Sequence, residues 1–469
     1  MHRFVVLIIV LLLASLACTF STPTPAPTEA PAPLPPTNTA VPATETPTPV
    51  TPEGTEAPTG EPSASPEAAQ TIPVEIAMQM NAIQEQVIDL RGLEPTSDVP
   101  RALLSPDELR QRVVDDFVAD YTPEEAVDDV IELAALGLLE PGFDLRSFYI
   151  ELFSEQIAGF YDQEVDEMYV VQGEGFFGSE RLTYAHEYTH VLQDQTYDIE
   201  EGLDYTEESC EADSERCAAI QALIEGDATL SGYSWFLEYA TQEDRESLLA
   251  TYENYESPVY DSAPPFMHED FMFPYTAGLT FVQALYDEGG WPAVDRAYGD
   301  VPVSTEQILH PERYPEDTPI PVELPDLLPA LGADWRELDR NVMGEWYTYL
   351  ILGFGIDPQA QVAAEVAAEA AAGWGGDSYL IYVNDTTGQT VVVLSTLWES
   401  ASEAGQFAAA FRTYADARYG VIARSEAGSL IWNYSGGYAL FQQDGAATLW
   451  VQAPDAATAQ TVLTALQAP

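Results

Sequence analysis

The 469-residue sequence contains no lysine, and its 16 arginines face 78 aspartate and glutamate residues, so the formal net charge is −62. Proteins that bind nucleic acid usually rely on clustered Lys and Arg side chains, which release counterions from the phosphate backbone. A surface this acidic repels phosphate groups and anionic lipid headgroups. The composition therefore argues against a nucleic-acid partner and against membrane association through basic residues.

Cysteine is also scarce, with only Cys18, Cys210 and Cys217. The chain is too long for a small disulfide-stapled scaffold, and 46% hydrophobic residues can build a core in each of two or three domains. Once Cys18 is set aside, Cys210 and Cys217 form an even pair. Two cysteines seven residues apart with no adjacent histidine make a poor zinc site, so we expect a disulfide, which favours an exported protein.

The longest apolar run extends over residues 4–17, which is short for a membrane span and typical of the core of a signal peptide. The junction Ser15-Leu16-Ala17-Cys18 resembles the lipobox of bacterial lipoproteins, although the family pattern has leucine three residues before the cysteine. The resemblance implies that residues 1–18 are a signal peptide and lipobox, with Cys18 as the lipidation site and the only membrane attachment. The protein is then expected on the outer face of the bacterial cell membrane, with ordinary secretion as the alternative.

Residues 19–72 have the composition of a disordered stalk. Between residues 21 and 70 there are 14 prolines in 50 positions and no aromatic residue. Such a segment cannot bury enough apolar surface to offset the loss of conformational entropy on ordering. Frequent proline also keeps the chain extended, so the stalk is expected to hold the folded part away from its anchor.

Apolar residues recur at intervals of three and four in residues 74–93 and 105–139, which predicts helices there. Two short segments, residues 159–162 and 167–171, have the pattern of strands around an acidic turn. A helix over about 181–195 follows them. The sequence therefore predicts a short strand pair immediately before a helix that, as described below, carries the chemistry.

We expect an α+β fold class. Helical patterns dominate residues 73–358 apart from proline-rich loops such as 257–274. The pattern then changes, and residues 373–469 alternate as strands around helices at 400–418 and 455–467. This predicts a separate, small C-terminal α+β domain, with a ferredoxin-like arrangement as the expected topology.

The strongest chemical signal is an HExxH motif, His186-Glu187-Tyr188-Thr189-His190, within the predicted helix. Positions i and i+4 of a helix are separated by about 40° and 6 Å, so both imidazoles project toward one ion. Glu187 lies about 100° further round, within reach of a water bound to that ion. Only five histidines are present, and a chance HExxH is expected in roughly half a per cent of such sequences.

A catalytic zinc site needs a third protein ligand and one open position. Residues 222–228 supply Glu225 in a Glu-Gly-x-Ala setting. Here the sequence resembles the gluzincin group of zinc metallopeptidases, in which HExxH is completed by a glutamate from a later helix. In particular, residues 186–195 followed by 222–228 resemble uncharacterised exported bacterial lipoproteins of that group. The resemblance covers about residues 145–355.

This resemblance implies one Zn²⁺ per chain, with His186, His190 and Glu225 as ligands and Glu187 as general base. It also implies a mainly helical gluzincin-like metallopeptidase domain. The interval from His190 to Glu225 is longer than in compact members, and the Cys210–Cys217 loop lies within it. Other acidic residues in that interval are rival third ligands, namely Glu211, Asp213 and Glu215.

Peptide hydrolysis also needs a hydrogen-bond donor for the oxyanion of the tetrahedral intermediate. The candidates are His310, Tyr275 and Tyr314. His310 ends a helix-like segment just before a proline, where a histidine commonly caps helix carbonyls instead. Both interpretations of His310 stay open at this point.

Asp194 and Asp227 are candidates for orienting a ligand imidazole through its second ring nitrogen, although each is equally consistent with a solvated carboxylate. The strand pair ahead of the HExxH helix could in addition bind substrate backbone along an exposed edge. Both ideas concern the surroundings of the metal rather than its ligands.

These patterns predict an exported zinc-dependent peptidase that hydrolyses peptide bonds through a metal-activated water, with Glu187 as general base. Its partner would be a peptide or protein substrate. The alternative is a non-catalytic, zinc-containing surface protein that serves in binding or as a scaffold. A fortuitous HExxH would instead predict no stoichiometric metal.

Overall fold

The computed structural model describes residues 8–11, 72–119, 121–163, 165–171 and 175–467, with backbone alone at 8–11 and at Asp116. The predicted signal peptide, Cys18 and the predicted stalk lie outside the described residues, except for the short segment 8–11 and residue 72. Among the described residues, no helix combines the length and apolar character needed to span a membrane. The architecture is α+β, as the sequence predicts.

The first part of the chain is mainly helical. Its helices are α1 (Val74–Arg91), α2 (Pro106–Arg112), α3 (Pro123–Leu136), α4 (Leu145–Gln156), α5 (Gly178–Tyr197), α6 (Ile199–Gly202), α7 (Glu207–Ala212), α8 (Ser214–Tyr239), α9 (Gln242–Asn254), α10 (Pro258–Asp261), α11 (Pro265–Gly289), α12 (Trp291–Ala297), α13 (Thr305–Leu309) and α14 (Leu328–Leu331). A π-helical turn, Val113–Phe117, follows α2. Ser105 begins α2 through a capping box with Glu108, as the sequence predicts.

A four-stranded sheet lies beside these helices. Its strands are β1 (Ile8–Leu11), β2 (Arg101–Leu104), β3 (Ile157–Asp162) and β4 (Glu167–Val171), in the order β1-β3-β4-β2. The predicted strand pair is confirmed as the antiparallel hairpin β3–β4, and α5 follows it. Sequence reasoning missed β2, which pairs in parallel with β4, because four residues between two helices carry little periodic signal.

The proline-rich segment 257–274 is not a loop, contrary to the prediction. Most of it belongs to α10 and α11, and Pro274 lies inside α11. Pro265 occupies the first turn of α11, where a missing amide hydrogen costs no hydrogen bond. Pro274 does remove one, so the helix continues because tertiary packing outweighs that loss. This continuation decides where Tyr275 lies.

Helices α8 and α11 pack with their backbones in direct contact. A Cβ atom at Gly226 would overlap the carbonyl of Gly278, and one at Gly278 would overlap the carbonyl of Ala222. Only glycine permits this approach. The glycine of the Glu-Gly-x-Ala segment therefore sets the distance between the two helices.

The C-terminal part is built on a seven-stranded antiparallel sheet in the order β5-β6-β7-β11-β10-β9-β8. Its elements are β5 (Trp335–Asn341), α15 (Gly344–Gly353), α16 (Ala364–Ala371), β6 (Trp374–Asn384), β7 (Gln389–Trp398), α17 (Ala401–Arg418), β8 (Arg424–Glu426), β9 (Ser429–Tyr434), β10 (Gly437–Asp444), β11 (Ala447–Ala453) and α18 (Ala456–Leu466). The small α+β character of this region is as predicted.

The ferredoxin-like expectation for this region is wrong. From residue 373 onward the chain runs ββαββββα, whereas a ferredoxin-like unit runs βαββαβ. Only two residues separate β9 from β10 and β10 from β11, and connections this short make hairpins rather than crossovers. The sheet also begins earlier than predicted, at β5. That charged strand lies at the sheet edge and lacks the alternation of a buried strand.

The helical part and the sheet share one hydrophobic core, which contains Leu223 and Phe281 as well as Trp374 and Phe411. Polar contacts reinforce this junction. The guanidinium of Arg418 on α17 donates to the carbonyls of Leu136 and Ala135 at the end of α3. The helix α3 is thus capped by a residue from the far end of the chain.

Candidate metal centre

Helix α5 brings the histidines of the HExxH motif together. His186, Glu187 and His190 are all buried on this helix. The Nε2 atoms of the two histidines lie 2.9 Å apart, as expected for residues i and i+4 on one face. Both rings therefore point at one small volume.

Glu225 on α8 places a third candidate ligand atom beside the two histidines. Its Oε2 atom lies 3.1 Å from His186 Nε2 and 3.5 Å from His190 Nε2, and the carboxylate is fully buried. Two ligand atoms bound tetrahedrally at 2.0–2.1 Å from zinc would be about 3.3 Å apart. The three atoms thus form a triangle of the size and donor type that Zn²⁺ requires, and the residues fit this ion.

The electrostatics favour the forms that bind metal. Burial lowers the pKa of His186 to about 4, so its imidazole is neutral at physiological pH. Burial alone would raise the pKa of Glu225, but the proximity of His190 and His186 outweighs it, and the pKa is lowered. A neutral imidazole and an ionised carboxylate are the states in which these groups coordinate zinc.

Glu187 lies next to the ligands, at the side facing β3. It is fully buried, and a Cβ atom at Gly159 of β3 would lie 3.4 Å from its Cγ and 2.8 Å from Thr183 Cγ2. Glycine at position 159 thus allows the strand to approach the helix at this point. The predicted general base lies between the metal ligands and the strand pair.

Helix α11 places Tyr275 at the same site. Its ring centroid is 6.5 Å from that of His186. Burial, followed by the carboxylates of Glu225 and Glu187, raises the pKa of Tyr275 well above its ordinary value. The hydroxyl therefore keeps its proton at physiological pH and can act as a hydrogen-bond donor.

The other two oxyanion candidates lie elsewhere. His310 Nε2 is 2.9 Å from Glu345 Oε1, and its pKa is raised mainly by this hydrogen bond. The Tyr314 hydroxyl donates to the carbonyl of Asp300 at 2.5 Å. The structure describes no contact of either residue with His186, His190 or Glu225, so of the three candidates it brings Tyr275 to the ligands.

A hydrogen-bonded chain lies behind His190. Its Nδ1 atom is 2.8 Å from the side-chain oxygen of Gln193, whose amide nitrogen lies 3.0 Å from Asp227 Oδ2. Arg91 of α1 makes two hydrogen bonds to the Asp227 carboxylate. Asp227 is therefore linked to His190 through Gln193 and not directly, as the sequence suggested. Asp194, the other candidate, accepts a hydrogen bond from Tyr161 instead.

Sequence reasoning missed Gln193. Its spacing of i+3 from His190 was a usable signal, since residues three apart share a helix face. Arg91 had no such signal, because it lies 136 residues before Asp227. Only the tertiary structure brings them together.

Two of the three rival third ligands have other roles. Asp213 caps the start of α8, and Glu215 accepts hydrogen bonds from the backbone and hydroxyl of Thr305. Their segment is not a polar loop, since it consists of α7 and the start of α8. The expected disulfide between Cys210 and Cys217 is present and joins these two helices.

A second acidic group, formed by Glu306, Asp317 and Glu399, also has three oxygens close together. The guanidinium of Arg313 forms ion pairs with all three residues. This group is therefore an ion-pair network whose positive charge is supplied by the protein itself.

Comparison with known proteins identifies one matching family model, a domain of unknown function, DUF8575, over residues 333–463. No curated protein and no solved structure matches the chain. The matched range extends from just before β5 into α18. Residues 333–463, which include the whole seven-stranded sheet, are thus similar to DUF8575.

Proposed function

We propose that the protein is an exported, zinc-dependent peptidase of the gluzincin type. The observation that carries this proposal is the buried triangle of His186, His190 and Glu225 with Glu187 beside it. Three protein ligands leave one position of a tetrahedral zinc for water or substrate, which is typical of catalytic sites rather than structural ones. The disulfide is consistent with export.

The residues of the site suggest separate roles in peptide hydrolysis. Zinc, when bound, supplies a Lewis acid that activates water and polarises the scissile carbonyl. Glu187 would accept the proton of the attacking water and deliver it to the leaving nitrogen. Tyr275, whose hydroxyl stays protonated, would donate a hydrogen bond to the developing oxyanion. The low exposure of these groups would keep bulk water from competing for these hydrogen bonds.

The proposal also includes the location and the substrate class. Export with Cys18 as the lipid anchor, and a stalk before α1, would hold the enzyme outside the cell. The net charge of −62 should favour cationic peptides at low ionic strength. Arg-rich peptides should be cleaved about tenfold faster than Asp-rich ones at low salt, with the difference shrinking as salt is added. Equal rates at low salt would contradict this preference.

The main rival is a non-catalytic zinc protein that serves as a scaffold. One observation favours it: His186, Glu187 and Glu225 are all buried, so the described site is nearly closed. Both proposals require bound zinc. They differ in whether Glu187 performs chemistry.

The test has two steps, both on the full chain purified without chelator. Elemental mass spectrometry should find one zinc per chain, and a Glu225→Ala variant should lose it while the control Glu211→Ala retains it. A Glu187→Gln variant should then retain zinc but cleave a peptide library about 10² to 10⁴ times more slowly. Absence of zinc after reconstitution would refute the enzyme proposal, and unchanged cleavage by Glu187→Gln would refute this mechanism.

A further inference from the structure

The second ring nitrogen of His190 contacts a neutral amide rather than a carboxylate. His190 Nδ1 and Gln193 Oε1 are 2.8 Å apart in a fully buried setting. An amide can present either its oxygen or its NH₂ group, and a neutral imidazole can carry its proton on either nitrogen. The direction of this hydrogen bond is therefore defined only if the orientation of the Gln193 amide or the tautomer of the His190 imidazole is fixed.

The surroundings of Gln193 fix the amide. Its nitrogen lies 3.0 Å from the carbonyl oxygen of Ile224, 3.0 Å from Asp227 Oδ2 and 2.8 Å from the Tyr298 hydroxyl. The Ile224 carbonyl cannot donate a hydrogen bond, and Asp227 Oδ2 already accepts from Arg91 and Tyr298. The Tyr298 hydroxyl donates to Asp227, so it accepts from Gln193. A flipped amide would place an oxygen against two acceptors, which is costly in a buried site.

Arg91 fixes the orientation of the Asp227 carboxylate. Its Nε and Nη2 atoms bind the two carboxylate oxygens at 2.8 and 3.0 Å, and both residues are fully buried. The guanidinium also lies 2.7 Å from Asp295 and 4.6 Å from the ring centre of Trp291. A bidentate pair of this kind has a defined geometry, so it holds the carboxylate in one orientation. Both Asp227 oxygens accept hydrogen bonds at this site.

We propose that Gln193 is a positioning residue that, oriented by Asp227 and Arg91, holds His190 as the tautomer with the proton on Nδ1. The Nε2 lone pair then faces His186 and Glu225 before any metal arrives. This inference deepens the proposed function and rests on its metal site. It also makes α1, which directly follows the predicted stalk, part of the metal centre, because the orienting cation comes from that helix.

The tautomer can be observed directly. Free imidazole side chains favour the proton on Nε2, so the proposed state is distinctive. The full chain contains five histidines, and ¹⁵N-histidine labelling followed by long-range ¹H–¹⁵N correlation after chelator treatment should resolve them, with a His190→Asn variant as the assignment control. The wild-type chain should show His190 protonated on Nδ1, and Gln193→Met should shift it toward Nε2. A wild-type His190 protonated on Nε2, or a tautomer unchanged in Gln193→Met, would overturn the proposal.

Zinc affinity gives an independent readout. Gln193→Met should weaken zinc binding about 10- to 100-fold in competition with a chromogenic chelator, the range typical for groups that orient a ligand. Gln195→Met is a matched control, since Gln195 lies on the same helix but contacts the exposed residues Thr96 and Ser97. Equal weakening by both variants would point to a general loss of structure and would overturn the assignment to Gln193.

The outcomes separate the two proposals. A chain with the expected tautomer but without zinc would refute the peptidase while leaving the role of Gln193 intact. A chain that binds zinc and cleaves peptides but has His190 protonated on Nε2 when metal-free would refute only the role of Gln193. If Gln193→Met does not fold by circular dichroism, the wild-type spectrum alone decides the tautomer.

Discussion

The start and the middle of α8 each bury a glutamate, with opposite effects on its pKa. Glu215, near the start of the helix, is buried against Thr305, and burial raises its pKa well above the ordinary value. Glu225, ten residues later, is equally buried, yet its pKa is lowered because it faces two histidines. Burial alone would protonate both. The comparison shows that the partner decides whether a buried carboxyl group becomes a metal ligand or a neutral hydrogen-bonding group.

The most direct test of this comparison replaces each of the two glutamates with glutamine in turn. Glu225→Gln should weaken zinc binding by more than about 100-fold, because a primary carboxylate ligand matters more than the groups that orient ligands. Glu215→Gln should leave zinc affinity unchanged, since Gln reproduces the shape of a neutral glutamic acid. Chelator competition measures both. Loss of zinc in Glu215→Gln with retention in Glu225→Gln would place the metal site at the start of α8 and contradict its assignment to Glu225.

A second prediction concerns the junction between the helices and the sheet. Arg418→Met removes the hydrogen bonds from α17 to the carbonyls of Leu136 and Ala135 and leaves them buried. We expect the free energy of unfolding to fall by about 1–3 kcal/mol, measured by denaturant titration, with zinc stoichiometry unchanged. Arg424→Met, on the exposed edge strand β8, is the control and should have little effect. A drop in zinc content in Arg418→Met would show that the metal centre depends on the sheet.

The smallest expected effect is a dependence of stability on pH between pH 5 and pH 8. Burial raises the pKa of Asp377 to about 6, and it raises that of Glu215 well above its ordinary value. A pKa raised in the folded state gives stability that is complete at low pH and is lost as pH rises through the folded pKa. These two groups should therefore lower the melting temperature by a few degrees from pH 5 to pH 8, against the opposite contribution of His186, whose pKa is lowered.

The same variant tests this assignment. Glu215→Gln cannot ionise, so its melting curve should depend less on pH than that of the wild type. Differential scanning calorimetry at constant ionic strength would measure the difference. A Glu215→Gln variant whose melting temperature depends on pH as strongly as that of the wild type would contradict the protonated state of Glu215.

The approach of His186 to His190 could be predicted from the sequence because it depends on local geometry. The i, i+4 spacing of His186 and His190 acts within one helix, and the structure does bring Glu225 to them. The function of this group stays a prediction. The strand pair and the disulfide were also predictable, because both depend on neighbours in the chain.

Contacts made at long range were not predictable in the same way. His310, Tyr275 and Tyr314 were all candidates by side-chain type, and it is the continuation of α11 through Pro274 that brings Tyr275 to the site. Arg91 carries no signal that relates it to Asp227. The edge strand β5 was expected to be helical, because a charged strand with one neighbour has no buried face to create an alternating pattern.

The glycine contact between α8 and α11 has a mechanical consequence. Gly226 follows the ligand Glu225, and Gly278 lies one helical turn beyond Tyr275, with no side chain between the two backbones. No layer of side chains separates the two helices, so a displacement of α11 also displaces the candidate ligand Glu225. A larger residue at either position would push the helices apart. In the proposed enzyme, a displacement of the site residues by about 1 Å would be enough to impair catalysis strongly. Each glycine faces the backbone of the opposite helix, so replacing both residues together would not relieve the overlap that either replacement causes.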